Sequence, residues 1–214
     1  MAKHYIPTFG EEVGNAVSHG VMSALALLAI PVSTLYSYIL HDGSLTASVS
    51  VSIFAISIFL MFSISTLYHA MSPTSRHKEV FHVLDHIFIY VAIAGSYTPV
   101  ALMIIGGWQG ILICVLQWLM VIIGVLYKSL SSRSIPALSL TIYLVMGWSA
   151  VFFFPLFLRS ASLPFILYIA AGGLCYTIGA IFYALKGFRY HHMVWHLFID
   201  IAAALHYIAI VFYL

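Results

Sequence analysis

Seven long apolar stretches alternate with short polar breaks along the 214 residues of the chain. They run near 15–39, 48–70, 82–105, 109–128, 137–158, 163–185 and 192–213. Each stays apolar over about 20 residues, the length a helix needs to cross a bilayer core of ~30 Å. Strands of a membrane barrel would instead alternate over roughly ten residues. The pattern predicts an all-α membrane protein, a seven-transmembrane helix bundle that takes up residues 1–214 as a single domain. The breaks HDGSLTA, MSPTSRHKEVF, GGWQ, SLSSRSIP, RSASLP and KGFRYH hold the polar residues, and several the Gly or Pro, expected of turns. Pro31, Pro99 and Pro155 fall inside stretches and are expected to kink their helices, which packing in lipid tolerates.

Composition agrees with lipid as the solvent. The chain is 63% hydrophobic and 7% charged, with a mean hydropathy of +1.08. A soluble domain carries about 25% charged residues, enough to cover a wet surface; this chain cannot. A net charge of +2 implies no nucleic-acid partner. Cys114 and Cys175 lie in apolar runs and read as buried free thiols rather than a disulfide or a two-cysteine metal site. Residues 1–10 lack the apolar core and cleavage site of a signal peptide, so the first span is expected to remain attached. No internal repeat is evident.

Charge sets the expected orientation. With seven spans, one side collects Lys3, Arg76, Lys78, Lys128, Arg133, Lys186 and Arg189, and the other only Arg159. The positive-inside rule puts the crowded side in the cytoplasm, with the N-terminus inside and Leu214 outside.

Ionisable groups within spans are expensive, about 2.5–3.5 kcal/mol for a charged residue at mid-depth on insertion scales. Outside the loops they reduce to His19, His69, His82, Asp85, His86, His192, His196, Asp200 and His206. His69 ends the inward-running second span. Asp85 opens the third, and His192 and His196 open the seventh. All four are therefore expected near the cytoplasmic surface. His192 and His196 stand at i and i+4, on one helix face, where two imidazoles can share a tetrahedral ion. His69 can supply a third nitrogen. Three protein ligands leave a fourth position for water, the pattern of a catalytic zinc site. Ser65 stands one turn before His69. Asp85, read as the interhelical carboxylate at this depth, is placed to hold or deprotonate that water.

Plainer readings stand beside this one. A lone i, i+4 histidine pair on a membrane helix is more often hydrogen-bonded than metal-binding. His41 and His77 read as solvated loop residues, and His82, His86 and His191 as interface or supporting residues. Glu11 and Glu12 fit a favourable helix N-terminus ahead of Asn15 and His19. The tryptophans Trp108, Trp118, Trp148 and Trp195 suit an interfacial belt and packing, and Gly172, Gly173 and Gly179 close helix contact. Asp200, one turn after His196, is either a partner of the metal site or a carboxylic acid in a polar pocket. His206 lies too deep to join the metal.

The chain resembles the bacterial hemolysin III family, within the wider progestin and adipoQ receptor family, over almost its whole length. The resemblance is carried by EEVGNAVSHG at the first span, STLYHA with Ser65 and His69, DHIFIYVAIAGSYTP from Asp85, MGW at 146–148, GGLCYTIGAIFY at 172–183, and HHMVWH with His192 and His196. Their order and spacing together are far more specific than any one of them. The resemblance implies a seven-helix bundle with Zn2+ held by His69, His192 and His196, and with Asp85 and Ser65 at the water-binding and neighbouring positions. It departs from the family at Asp200, where members often carry an apolar residue. Some relatives are lipid receptors with ceramidase-like hydrolysis proposed, and bacterial members are linked to cytolysis and membrane homeostasis.

Three functions follow as expectations: a zinc-dependent lipid amide hydrolase, with membrane lipids as partners and an acyl-chain lipid as substrate; a non-enzymatic membrane sensor with a structural zinc; or a cytolytic pore. The absence of a polar stripe running from side to side argues against the pore. No lysine stands mid-span for a retinal Schiff base, and the clustering of histidines at one interface does not suit haem.

Overall fold

Capping residues decide where several helices begin. Thr8 accepts a hydrogen bond from the Glu11 N–H while the Glu11 carboxylate takes the Thr8 N–H, a reciprocal capping box. Ser44, Ser75 and Ser162 cap the second, third and sixth helices through their hydroxyls. In the computed structural model residues 7–130, 135–185 and 188–214 are described, and no strand occurs among them. Lys3, Arg133 and Lys186, which enter the charge asymmetry, lie outside the described residues.

Among the described residues seven helices are long and apolar enough to cross a membrane: Phe9–Leu40, Leu45–Ala70, Arg76–Ile105, Gly107–Leu130, Ala137–Ser160, Leu163–Ala184 and His191–Phe212. The first starts well before residue 15, because the capping box extends it through Glu11, Glu12 and Asn15. The third starts at Arg76 rather than near 82, because Ser75 caps a polar turn ahead of the apolar run.

Proline marks two irregularities. The third helix is α-helical through Pro99 and then widens to a π-helix over Val100–Ile105; Pro99 has no N–H to continue the regular ladder. The fifth span is α-helical over Pro136–Trp148, tightens to a 3₁₀ turn over Ser149–Phe153 and resumes over Phe154–Ser160, with Pro155 at the restart. Pro31 sits within the first helix without ending it.

The burial pattern is that of a protein in lipid. Leu28, Val32, Leu35, Leu119, Ile122 and Leu126 are all more than 45% exposed. The inward face of the first helix is instead Glu11, Asn15, His19, Ala26, Ser33 and Ser37. Such polar groups glue helices together where apolar side chains gain nothing by leaving lipid. Ser23 meets Ser63 at 2.7 Å and Thr34 meets Ser52 at 2.8 Å, joining the first helix to the second. Phe54, Phe62, Tyr90 and Phe165 fill the apolar core.

The three glycines of the sixth helix divide. A side chain at Gly172 would strike the His206 ring, and one at Gly179 would meet Trp195 and Phe198, so both permit close approach to the seventh helix. Gly173 faces open space and has no such role. Cys114 and Cys175 are free, but half-buried rather than buried.

Candidate metal centre

The site forms where the end of the second helix meets the start of the seventh. Serine and aromatic residues hold His69 on the inner face of the second helix, where Ser65 and His69 are both buried. The seventh helix begins after Tyr190, whose left-handed backbone (φ 63°) turns the chain. The Tyr190 N–H donates to Glu11 Oε1 at 2.7 Å, so the carboxylate that caps the first helix also fixes the start of the seventh. One turn of helix then separates His192 from His196.

These placements bring His69, His192 and His196 together. Each offers a ring nitrogen, and the three atoms lie within 4.8 Å of one another. The ring centroids are 5.1 Å apart for His69 and His192, 5.0 Å for His69 and His196, and 4.7 Å for His192 and His196. A tetrahedral ion with metal–nitrogen bonds of about 2.0–2.1 Å would draw the nitrogens to about 3.4 Å, a change side-chain rotation can supply. Nε2 of His69 and Nε2 of His192 are buried and have no hydrogen-bond partner among the described residues. Buried polar nitrogens are normally satisfied, so an orphaned pair at such a convergence fits a metal ion as the missing partner.

The Nδ1 atoms of His69 and His196 are supported, as metal-bound imidazoles usually are. His69 Nδ1 is hydrogen-bonded to Glu12 Oε2, and Asn15 Nδ2 stands 3.5 Å from the same nitrogen. Lys78 Nζ donates to the second Glu12 oxygen at 2.8 Å and to the Met71 carbonyl at 3.1 Å. His196 Nδ1 donates to the Asn15 carbonyl at 3.3 Å and has the Ser18 hydroxyl at 3.4 Å. The first helix thus supplies the supporting groups, and the second and seventh supply the three histidines.

The Asp85 carboxylate of the third helix faces the Ser65 hydroxyl and lies within electrostatic reach of His69. Lys128 of the fourth helix stands near the same carboxylate, as do Tyr68 and Tyr183. Asp85 is not the one interhelical carboxylate at this depth, because Glu12 touches His69 directly. The acidic pair at the start of the first helix therefore does more than favour a helix N-terminus. Glu12, Asn15 and His19 follow i, i+3, i+7 spacing on an otherwise apolar helix, and that inward polar stripe was the available signal.

Apart from His19, which stacks on His196, the remaining described histidines separate from the cluster. His82 packs beside Tyr68, with centroids at 5.3 Å, and His86 donates to the His82 carbonyl at 2.8 Å. His191 donates to the Phe188 carbonyl at 3.0 Å. His41 lies 3.0 Å from the Ser37 carbonyl at its helix end, so it caps rather than standing free in a loop. His77 is exposed. His206, deep in the seventh helix, donates to the Ile169 carbonyl at 3.2 Å. Asp200 pairs with His19, at 3.6 Å between Oδ1 and Nε2.

Comparison with known proteins identifies the family of the whole bundle. The family model described as "Haemolysin-III related" matches residues 8–207. A hemolysin-3 homolog of Bacillus subtilis is 34% identical over 96% of this chain and 95% of its own length. Hemolysin-3 of Bacillus cereus is 31% identical over 95% of this chain and 91% of its own. The human monocyte to macrophage differentiation factor is 30% identical over 98% and 87%. The chain is a member of the haemolysin-III related family of membrane proteins.

Proposed function

We propose that the protein is a zinc-dependent hydrolase that cleaves an amide bond in a membrane lipid at the cytoplasmic end of the bundle. The observation that carries this reading is the three-histidine convergence with a carboxylate beside it. His69, His192 and His196 would hold the ion, and three protein ligands leave one position open for chemistry. Imidazole suits several first-row ions; zinc is proposed because a hydrolase needs a Lewis acid without redox chemistry. Bound there, zinc would polarise the substrate carbonyl and make a water nucleophilic near neutral pH.

The chain's own residues would do the rest. Glu12 and Asn15 orient His69, and the Asn15 carbonyl orients His196. Asp85, with the Ser65 hydroxyl against it, accepts the proton of the attacking water and returns it to the leaving amine. The apolar helix walls would take the acyl chain of the lipid. The described charges support an orientation: Arg76, Lys78, Lys128 and Arg189 lie toward the histidine end, and Arg159 toward the other. On the positive-inside rule the N-terminus would then be cytoplasmic, the C-terminus outside and the site at the inner leaflet of the cell membrane.

A second reading is a structural zinc that clamps the seventh helix to the second in a non-enzymatic sensor. It is favoured by how little those two helices touch elsewhere, compared with their packing against the sixth and the first. One experiment divides the readings. Detergent-purified protein is assayed for metal content and then incubated with a ceramide-like amide lipid. The hydrolase reading expects release of the fatty acid, lost together with zinc in His196→Ala. Zinc-loaded protein that turns over no lipid amide, and that loses thermal stability when chelated, supports the clamp instead.

A further inference from the structure

Two pairs of residues, each one helical turn apart, interlock where the first helix meets the seventh. Asn15 and His19 face inward from the first helix, and His196 and Asp200 face them from the seventh. The upper members are joined by the hydrogen bond from His196 Nδ1 to the Asn15 carbonyl, 3.3 Å. The lower members close the square. His19 lies flat on His196, with ring centroids 3.6 Å apart and planes within 3°. Phe62 of the second helix meets His19 edge-on, with centroids at 5.0 Å and planes at 70°. Asp200 Oδ1 stands 3.6 Å from His19 Nε2. His19 is 4% exposed, and its two nitrogens and Asp200 Oδ1 form no hydrogen bond among the described residues.

We infer that His19 and Asp200 are positioning residues for His196: Asp200 holds His19, and His19 sets the plane of the His196 ring. A bond at Nδ1 pins one atom of an imidazole but lets the ring pivot about it. A parallel ring against its face removes that freedom, so Nε2 stays aimed at the nitrogens of His69 and His192. An apolar residue at position 200 would be easier to place in a membrane helix, and the packing alone does not ask for a carboxylate. Its use is explained by the His19 nitrogen it faces. The inference rests on the reading that the three histidines hold a metal ion.

The test uses the whole chain in detergent and three readouts, two of them on the metal. Zinc affinity is measured by competition with a chromophoric chelator, and the Co2+ absorption spectrum reports ligand geometry. Asp200→Leu and His19→Leu are expected to weaken zinc binding about 10–100-fold, the range seen when supporting partners of metal ligands are removed, and to shift the Co2+ bands. Asp200→Asn keeps an oxygen acceptor and His19→Phe keeps a flat ring against His196, so both should recover most of that loss. Wild-type affinity and an unchanged Co2+ spectrum in both leucine variants would overturn the inference.

The third readout needs no metal. In metal-free protein, carbethoxylation of His196, followed by mass spectrometry, should be faster in both leucine variants than in wild type. Equal rates would overturn the positioning role. Failure of the wild type to bind zinc or Co2+ would sink the metal reading instead, and the modification rates would still decide this one.

Discussion

Two polar clusters lie inside this bundle, and they are built in opposite ways. The first lies where the third, fourth and fifth helices meet. The Tyr97 hydroxyl donates to the Gly147 carbonyl at 2.7 Å and accepts from the Ala150 N–H at 2.8 Å and the Ser149 hydroxyl at 3.1 Å. Gln117 donates to Ser149 at 2.8 Å and to the Met146 carbonyl at 3.3 Å, and Trp118 donates to Thr98 at 3.1 Å. Apart from Gln117 Oε1, its donors and acceptors are mated. The second cluster is that of the histidines, where Nε2 of His69, Nε2 of His192 and both nitrogens of His19 have no hydrogen-bond partner among the described residues. The first cluster splices a helix that changes pitch at Ser149–Phe153, and the chain completes it alone. The second brings three ring nitrogens to within 4.8 Å of one another, a group that could hold a metal ion. Buried polar groups are normally mated, and several unmated ring nitrogens gathered at one convergence make the second cluster the candidate site.

The sharpest break in that comparison comes from removing a ligand. His196→Ala should lose bound zinc altogether and, on the hydrolase reading, all lipid amide turnover, as measured by metal analysis and fatty-acid release. Full zinc occupancy in this variant would mean that the orphaned nitrogens have another purpose.

Asp85→Asn separates chemistry from binding. It leaves the three histidines in place and removes the proton acceptor. Zinc content should stay at the wild-type level while turnover falls by about 10²–10⁴, the usual contribution of a general base. A parallel loss of zinc would make Asp85 part of the metal shell rather than a base.

Glu12→Gln probes the supporting layer. An amide still accepts a bond from His69 Nδ1 but carries no charge and no longer pairs with Lys78. Zinc affinity should fall about 10–100-fold, seen in chelator competition. Unchanged affinity would make the Glu12 contact with His69 incidental.

These outcomes bear on how much of the molecule can be read from its sequence. Seven spans were legible because lipid imposes a length and a composition on every helix, and neither depends on packing. His69, His192 and His196 were legible because topology sets depth, and three histidines at one depth are few. Glu12 and His19 were harder. Their roles depend on how the first helix is rotated against the second and seventh, and hydropathy carries no rotation when the outer face is lipid. Only the inward polar stripe of Glu11, Asn15, His19, Ser33 and Ser37 fixes that rotation. The 3₁₀ turn at Ser149–Phe153 was equally hidden. Pro155 signals a kink, but the pitch change depends on Tyr97 and Gln117, which lie on other helices.

Tyr97→Phe gives the smallest effect and the cleanest control. The ring stays, so packing against the fifth span is kept. Lost are one donated bond to Gly147 and two accepted bonds, from Ser149 and Ala150. Hydrogen bonds between membrane helices average ~0.6 kcal/mol, so three together amount to about 1–2 kcal/mol. Neighbours can re-pair part of that: Ser149 already donates to the Met146 carbonyl at 2.7 Å, which leaves the Ala150 N–H as the group most exposed to the loss. Unfolding in detergent should therefore shift modestly toward lower temperature, while zinc affinity stays unchanged. If Tyr97→Phe loosened zinc as much as Glu12→Gln does, the two clusters would be coupled through the third helix, which carries both Tyr97 and Asp85. The satisfied network would then be part of the site and not its scaffold.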